Sequence, residues 1–167
     1  LADVSHQIVS PQGSKPVIGI VQDACVGSRL FTLKSSFFTR REAMSLLYSI
    51  DALPKQSDDI SRYMTPTILQ PVELWTGKQI FSAILPAPLF LSLPPPADVE
   101  ESSEWFKRGA LDGSVCVRSG ILHCGVVDKR FVGAQAGGAI HAIFRDFGPS
   151  AARMFIDNVQ KLINHYV

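Results

Sequence analysis

The greasiest tract of the chain, IFSAILPAPLFLSLPPP at residues 80–96, carries proline at 86, 88, 94, 95 and 96. Proline lacks a backbone donor and clashes inside a helix, so no long helix runs through this tract, which is left to short strands and loops. No apolar run, this one included, reaches the roughly 18 to 20 residues that a bilayer-spanning helix needs. The sequence therefore predicts no membrane partner.

At 167 residues the chain has the length of one domain, and a single domain over residues 1–167 is expected. Such a length allows a core that removes roughly two thirds of the unfolded surface from water. Hydrophobic residues make up 46% and charged residues 19% of the sequence, which excludes a disordered chain and is greasy for a free monomer. Sixteen Lys and Arg balance fifteen Asp and Glu, so no overall field draws the chain to DNA or to an anionic membrane. Any contact with nucleic acid must be local.

Cys25, Cys116 and Cys124 are odd in number and lack CxxC spacing, which argues against a disulfide framework or a zinc site. The opening Leu-Ala-Asp lacks the basic-then-apolar pattern of a signal peptide. The chain starts without methionine and stops within a helical pattern, so an excised piece of a longer polypeptide is expected.

Along the chain, residues 1 to 10 read as the tail of a helix and Pro11 to Pro16 as a turn. In KPVIGIVQDACVGSRLFT, residues 15–32, an apolar strand runs into a helix from about residue 20, with Asp23 in its first turn, where negative charge is favoured. Thr39 is an N-cap for RREAMSLLYSI, with Glu42 at the capping-box position. Residues 51 to 66 are polar and irregular. Pro66 and Pro71 confine TPTILQPVELW to an edge or loop, and Thr76 caps a short helix in TGKQIFSAI. The acids Asp98, Glu100, Glu101 and Glu104 make the stretch 97–104 a solvated loop.

The segment LDGSVCVRSGILHCGVVDKRFVG alternates about Ser119-Gly120, a hairpin signal, with further turns at Asp112-Gly113 and Gly125. A two-residue turn sets Cys116 opposite His123 and Cys124 on the other face, which excludes a bridge between the cysteines. Two helices follow: GGAIHAIFRDFG, closed by Gly148, and PSAARMFIDNVQKLINHYV. The latter has Pro149 in its first turn and an apolar stripe of Ala152, Phe155, Ile156, Val159, Leu162, Ile163 and Tyr166. The fold class is α+β: helices at both ends around a small antiparallel β element, with a hairpin near 114–127.

Catalytic signatures are missing: there is no GxSxG, Walker A loop or HExxH. No catalytic residue and no metal ligand is assigned, and His6, His123, His141 and His165 read as packed or surface histidines. GAQAGGAI before a helix has the form of either a phosphate-cradling loop or a tight turn. Lys15, in a Pro-Gln-Gly-Ser turn, and the adjacent Lys129-Arg130 either grip phosphates by charge and forked hydrogen bonds or are simply solvated.

Five blocks occur in order: IVSPQGSKPVIGIVQDACVGSRLFT, FFTRREAMSLLY, TPTILQPVELWTGKQIFSAILP, DGSVCVRSGILHCGVVDKRFVG and HAIFRDFGPSAARMFIDNVQKLI. Together they resemble, over nearly the whole chain, the largest subunit of multisubunit DNA-directed RNA polymerases, in the segment known as domain 3 or the pore domain. PQxxKPxxGIVQD and GVVDKRxVG are similar to polymerase II, and TILQPVELWTGKQIFSAIL also to polymerase III. The expectation is a polymerase II-like subunit of a divergent eukaryote or a large DNA virus. It places the protein in the nucleus if cellular, and in a cytoplasmic virus factory or virion if viral.

The resemblance implies a place in the enzyme, with the chemistry done elsewhere. In the family, catalytic Mg²⁺ is held by an Asn-Ala-Asp-Phe-Asp-Gly-Asp motif just before the matching region, and the trigger loop and bridge helix come after it. The fragment alone is expected to be inactive and to bind no cofactor. The pore domain borders the channel for nucleoside triphosphates and for the RNA 3′ end on backtracking, where a transcript-cleavage elongation factor also enters. Carried over by position, Lys15, Lys129 and Arg130 are implied contacts of RNA or nucleotide, and Gln22 and Asp23 hold the packing against the neighbouring domain. The other partners implied are the rest of the largest subunit and the other polymerase subunits. Where relatives can carry an arginine after the LWTGKQI helix, this chain has the apolar PLFLSL, which implies a reduced set of RNA contacts. Apolar surfaces at Phe37-Phe38 and LPAPLFLSLPPP are expected to be covered by the assembly. The competing readings are a stand-alone scaffold or protein-binding module and, weaker for want of a carboxylate cluster, an independent nucleotidyltransferase.

Overall fold

The structure, a computed structural model, describes residues 3–50, 63–95 and 113–167. The acidic loop 97–104, Asp112 of the expected Asp112-Gly113 turn and the polar stretch up to residue 62 lie outside the described residues. The fold is α+β, with helices packed around small antiparallel sheets.

The N-terminal stretch departs from the expected helix tail. Val4–Gln7 form a single 3₁₀ turn, begun by the Asp3 carboxylate accepting from the backbone N–H of Ser5. Strand β1 (Val9–Ser10) then pairs antiparallel with β2 (Lys15–Pro16) around a turn at 11–14, shorter than the expected 11–16 because Lys15 and Pro16 join the ladder. The VIGI segment that follows is no strand: Val17 N–H donates to the Ile8 carbonyl at 2.9 Å and Ile20 N–H to the Val132 carbonyl at 2.8 Å. A Cβ on Gly19 would collide with the backbone of Gly133 and Ala134, so glycine allows this close approach within the chain itself.

Helix α1 (Gln22–Phe31) has Asp23 in its first turn, as predicted. Strand β3 (Phe37–Thr39) leads into α2 (Arg40–Tyr48) through the predicted capping box, in which the Thr39 N–H donates to the Glu42 carboxylate at 2.9 Å. Strand β4 (Leu74–Thr76) pairs with β3, setting Trp75 opposite Phe38, and Thr76 caps α3 (Gly77–Ser82) by accepting from Gln79 N–H at 3.3 Å.

The proline-rich tract is more buried than its sequence suggests. Leu85 and Leu89 belong to the core, and β5 (Leu91–Leu93) forms the edge of a three-stranded sheet with the hairpin β6 (Val115–Arg118) and β7 (Ile121–Cys124). Leu91–Leu93 pair with β6, so the end of PLFLSL is a structural strand, and Phe90 just before it stays 67% exposed. Phe38 is likewise buried, beside an exposed Phe37. Ser119 and Gly120 have φ of 50° and 71°, the two positive angles of a type I′ turn.

The expected hairpin register is corrected. It holds from the turn to Val117 opposite Leu122, then shifts, so that Cys116 pairs with Cys124 and His123 becomes the extra residue of a bulge. The two cysteines are therefore cross-strand neighbours on the outer face, where the alternation had separated them.

After α4 (Lys129–Val132), helices α5 (Ala139–Phe147) and α6 (Pro149–Tyr166) meet at Gly148, whose φ of 89° makes the predicted stop. The α6 stripe enters the core through Ala152, Phe155, Val159, Leu162 and Ile163. At its end Tyr166 stands edge-on to Phe31 and Phe38, with ring centroids at 5.1 and 5.8 Å. That cluster joins α1, β3 and α6 in one corner.

Candidate functional site

The basic turn after the hairpin is held from below by α1. Thr32, fully buried at the end of α1, accepts from Val127 N–H at 2.9 Å and donates to the Ser28 carbonyl at 2.9 Å. Threonine suits this place because its hydroxyl both donates within the helix and accepts from the loop. The next residue, Asp128, caps α4 by accepting from Arg130 N–H at 2.9 Å.

Arg130 is spent on structure. Its Nε donates to Asp128 at 2.8 Å, and its other nitrogens donate to the carbonyls of Pro94 at 2.8 Å and Gly113 at 3.2 Å. The planar fork thus ties the end of the proline-rich tract to the start of the hairpin. Its charge is paired with Asp128, both side chains being 28% exposed.

Lys129 differs. It is exposed and, among the described residues, makes no side-chain hydrogen bond or ion pair. Its charge is felt by Cys25 on α1: burial pushes that thiol up, Asp128 adds to the effect, and Lys129 opposes it. Lys15 is exposed and equally unpaired, its stem lying over Gly13. The bond from Ile20 to Val132 joins the segment after Lys15 to the segment after Lys129, and β2 and α4 both pack on α5. Two exposed ammonium groups and one bound guanidinium therefore belong to adjoining parts of the fold.

Gln22 and Asp23 are exposed, without a side-chain partner among the described residues. Val17, Val21, Val26 and Leu30 around them are also exposed, at 57, 60, 57 and 46%. The expected strand-and-helix seam is thus an open face that mixes apolar side chains with two unpaired polar ones.

An open cleft of about 360 Å³ lies between the end of α1, α3 and the hairpin, and Lys34, Lys78 and His123 stand on its lining. Lys15, Lys129 and Arg130 do not line it. Sequence reasoning missed these three residues because they come from distant segments. The LWTGKQI block held Lys78 in view, but nothing local marks Lys34 or His123. The GAQAGGAI loop behaves as a tight turn: Gly137 N–H donates to Nδ1 of His141 at 3.0 Å, and Gly138 N–H turns back to the Gln135 carbonyl at 3.4 Å.

Among the described residues no three of His, Cys, Asp or Glu converge as a metal site, and no helix is long and apolar enough to cross a membrane.

The chain is 30% identical over 177 residues to the DNA-directed RNA polymerase I subunit RPA190 of Saccharomyces cerevisiae, an alignment that takes in 100% of this chain and 10% of the relative. It thus spans about a tenth of the length of that curated relative. RPA190 belongs to polymerase I, a class that the blocks similar to polymerases II and III do not single out. The family described as RNA polymerase Rpb1, domain 3, matches residues 7–167, from the 3₁₀ turn to the last residue, and the chain belongs to that family.

Proposed function

We propose that this chain is the pore domain of the largest subunit of a DNA-directed RNA polymerase, lining the channel for entering nucleoside triphosphates and for the backtracked RNA 3′ end. The observation that carries the reading is the pair of exposed ammonium groups, Lys15 and Lys129, unpaired among the described residues, on segments joined by the Ile20–Val132 bond. Fixed positive charge of this kind attracts phosphates without binding them tightly, which suits a conduit. Arg130 supports the wall by holding the Lys129 turn to Pro94 and Gly113.

In this reading Gln22 and Asp23, with the apolar side chains around them, pack against the neighbouring domain of the same subunit. An amide and a carboxylate covered there gain partners, since each left bare would cost roughly 1–3 kcal/mol. The domain alone joins no nucleotides. The whole enzyme's Mg²⁺ is held outside this chain and supplies the charge stabilisation of nucleotidyl transfer. A transcript-cleavage elongation factor shares the channel, the other polymerase subunits surround it, and the enzyme works in the nucleus of a cell or in a viral compartment.

The test is Lys15→Glu and Lys129→Glu, singly and together, in the whole polymerase. Recovery from backtracked pauses should slow by roughly two- to fivefold per residue at low salt, the worth of one exposed charge contact, and the effect should shrink as salt rises. Unchanged recovery, or an effect indifferent to salt, overturns the reading.

A further inference from the structure

The bulge at His123 does more than bend a strand. A regular two-residue hairpin would leave Cys116 and Cys124 on opposite faces, but the shifted register pairs them directly across β6 and β7. Directly opposed residues of an antiparallel ladder have Cα atoms about 4.5–5.5 Å apart. A disulfide spans about 4.4–6.8 Å between Cα atoms, so bridging requires no sliding of the strands. Both thiols are free and half-buried, and the residue next across the sheet from Cys116 is the small, exposed Ser92. The inner face is closed by Val115, Val117 and Leu122, so the cysteines occupy the side that faces away from the core. Cys25, on α1, is outside this sheet.

The geometry points to an oxidative modification site: Cys116 and Cys124 form a reversible dithiol pair that a peroxide closes into a disulfide. A peroxide oxidises one thiolate to a sulfenic acid and is itself reduced to hydroxide, which takes up the proton the thiol gave up and leaves as one water. The other thiolate attacks that sulfur and expels hydroxide, which leaves as a second water once protonated. One S–S bond forms, two S–H bonds are lost, and the peroxide takes up the two electrons. A bridge on an accessible sheet face is of the kind that thiols reduce readily, which makes the step reversible. Closure pins the bulge and with it His123, which lines the cleft that also holds Lys34 and Lys78. This inference does not depend on the conduit reading, since it rests on register alone.

The experiment uses the intact polypeptide that bears this domain, within its complex. After hydrogen peroxide treatment, remaining thiols are blocked with N-ethylmaleimide and the protein is digested with trypsin without reductant. Cleavage after Arg118 separates the cysteines, so the bridge is read as GALDGSVCVR joined to SGILHCGVVDK, two hydrogens lighter than the sum and separable by dithiothreitol. Maleimide on both cysteines after oxidation, separate sulfinic acids, or a bridge to Cys25 or to another subunit overturns the proposal. A second measurement needs no oxidant: phenylarsine oxide, which spans two neighbouring thiols, should protect both cysteines from maleimide, and Cys116→Ser should remove the protection of Cys124. Equal labelling of the unmodified protein with and without the arsenical also overturns it.

Discussion

The hydroxyl of Thr32 accepts the backbone N–H of Val127, 95 residues away, in a hydrogen bond of 2.9 Å buried from solvent. This bond sets the height at which the chain enters Asp128 and Lys129. Thr32→Val keeps the shape but leaves a buried N–H unpaired, a loss of about 1–3 kcal/mol. Thr32→Ser restores the acceptor and should recover most of it. Urea denaturation of the three proteins tests this, and a valine variant as stable as the parent would show that the bond is replaceable.

Arg130 and Asp128 should behave as a unit. Arg130→Lys keeps the charge but gives up the fork that reaches Asp128, Pro94 and Gly113 together. Hydrogen bonds to charged groups contribute about 1.5–3 kcal/mol each at most, and lysine replaces some of them, so a net loss of about 1–2 kcal/mol is expected. In a double-mutant cycle with Asp128→Asn, the two losses should fall short of additive. Strict additivity would mean that the carbonyl contacts alone matter.

How much of this could be read beforehand depends on how local each cause is. The capping box of Thr39 and Glu42, the Ser119-Gly120 turn, the stop at Gly148 and the α6 stripe each depend on residues within a turn or two, and each stands where the sequence placed it. Pairings that depend on distant partners were not legible. Leu91 to Leu93 read as exposed apolar chain because the strand that covers their edge begins at Val115. The cysteine register failed for a similar reason: Gly125, with φ of 91°, brings its backbone against Val115 and Ser114, and the strand accommodates this by a bulge that no alternation reveals. Lys15, Lys129 and Arg130 stood out as basic residues in short turns and took a role from resemblance to a family, while the distinction between an exposed Lys129 and a bound Arg130 needed the positions of Pro94 and Gly113.

Acid should weaken the α2 entry. The Thr39 N–H, and after it the Thr39 hydroxyl, donate to the Glu42 carboxylate and hold its pKa below the usual glutamate range. A depressed pKa in the folded state stabilises the fold above the unfolded value, and the gain is lost as pH falls through the folded one. Because Glu42 is exposed, solvent screening keeps the effect small. Glu42→Gln should lower stability slightly at neutral pH and flatten its decline on acidification below the usual glutamate range. Parallel denaturation curves for parent and variant across that range would contradict the assignment.

Gly27 and Ile163 set the distance between α1 and α6. A Cβ at Gly27 would lie 2.5 Å from Cγ2 of Ile163 and 3.4 Å from Cγ2 of Val167. Two effects oppose each other in Gly27→Ala. Alanine is better than glycine inside a helix by about 1 kcal/mol, whereas an added methyl in a packed interface costs about 1–3 kcal/mol. The clash falls on the branched carbon of a side chain that is 1% exposed and cannot swing clear, so the cost should win and the variant lose about 1 kcal/mol or more. On an Ile163→Ala background the obstructing methyl is absent, and the same Gly27→Ala change should stabilise by up to about 1 kcal/mol. Denaturant midpoints of the four proteins measure the reversal. If Gly27→Ala has the same sign on both backgrounds, the glycine is not there to let the helices close.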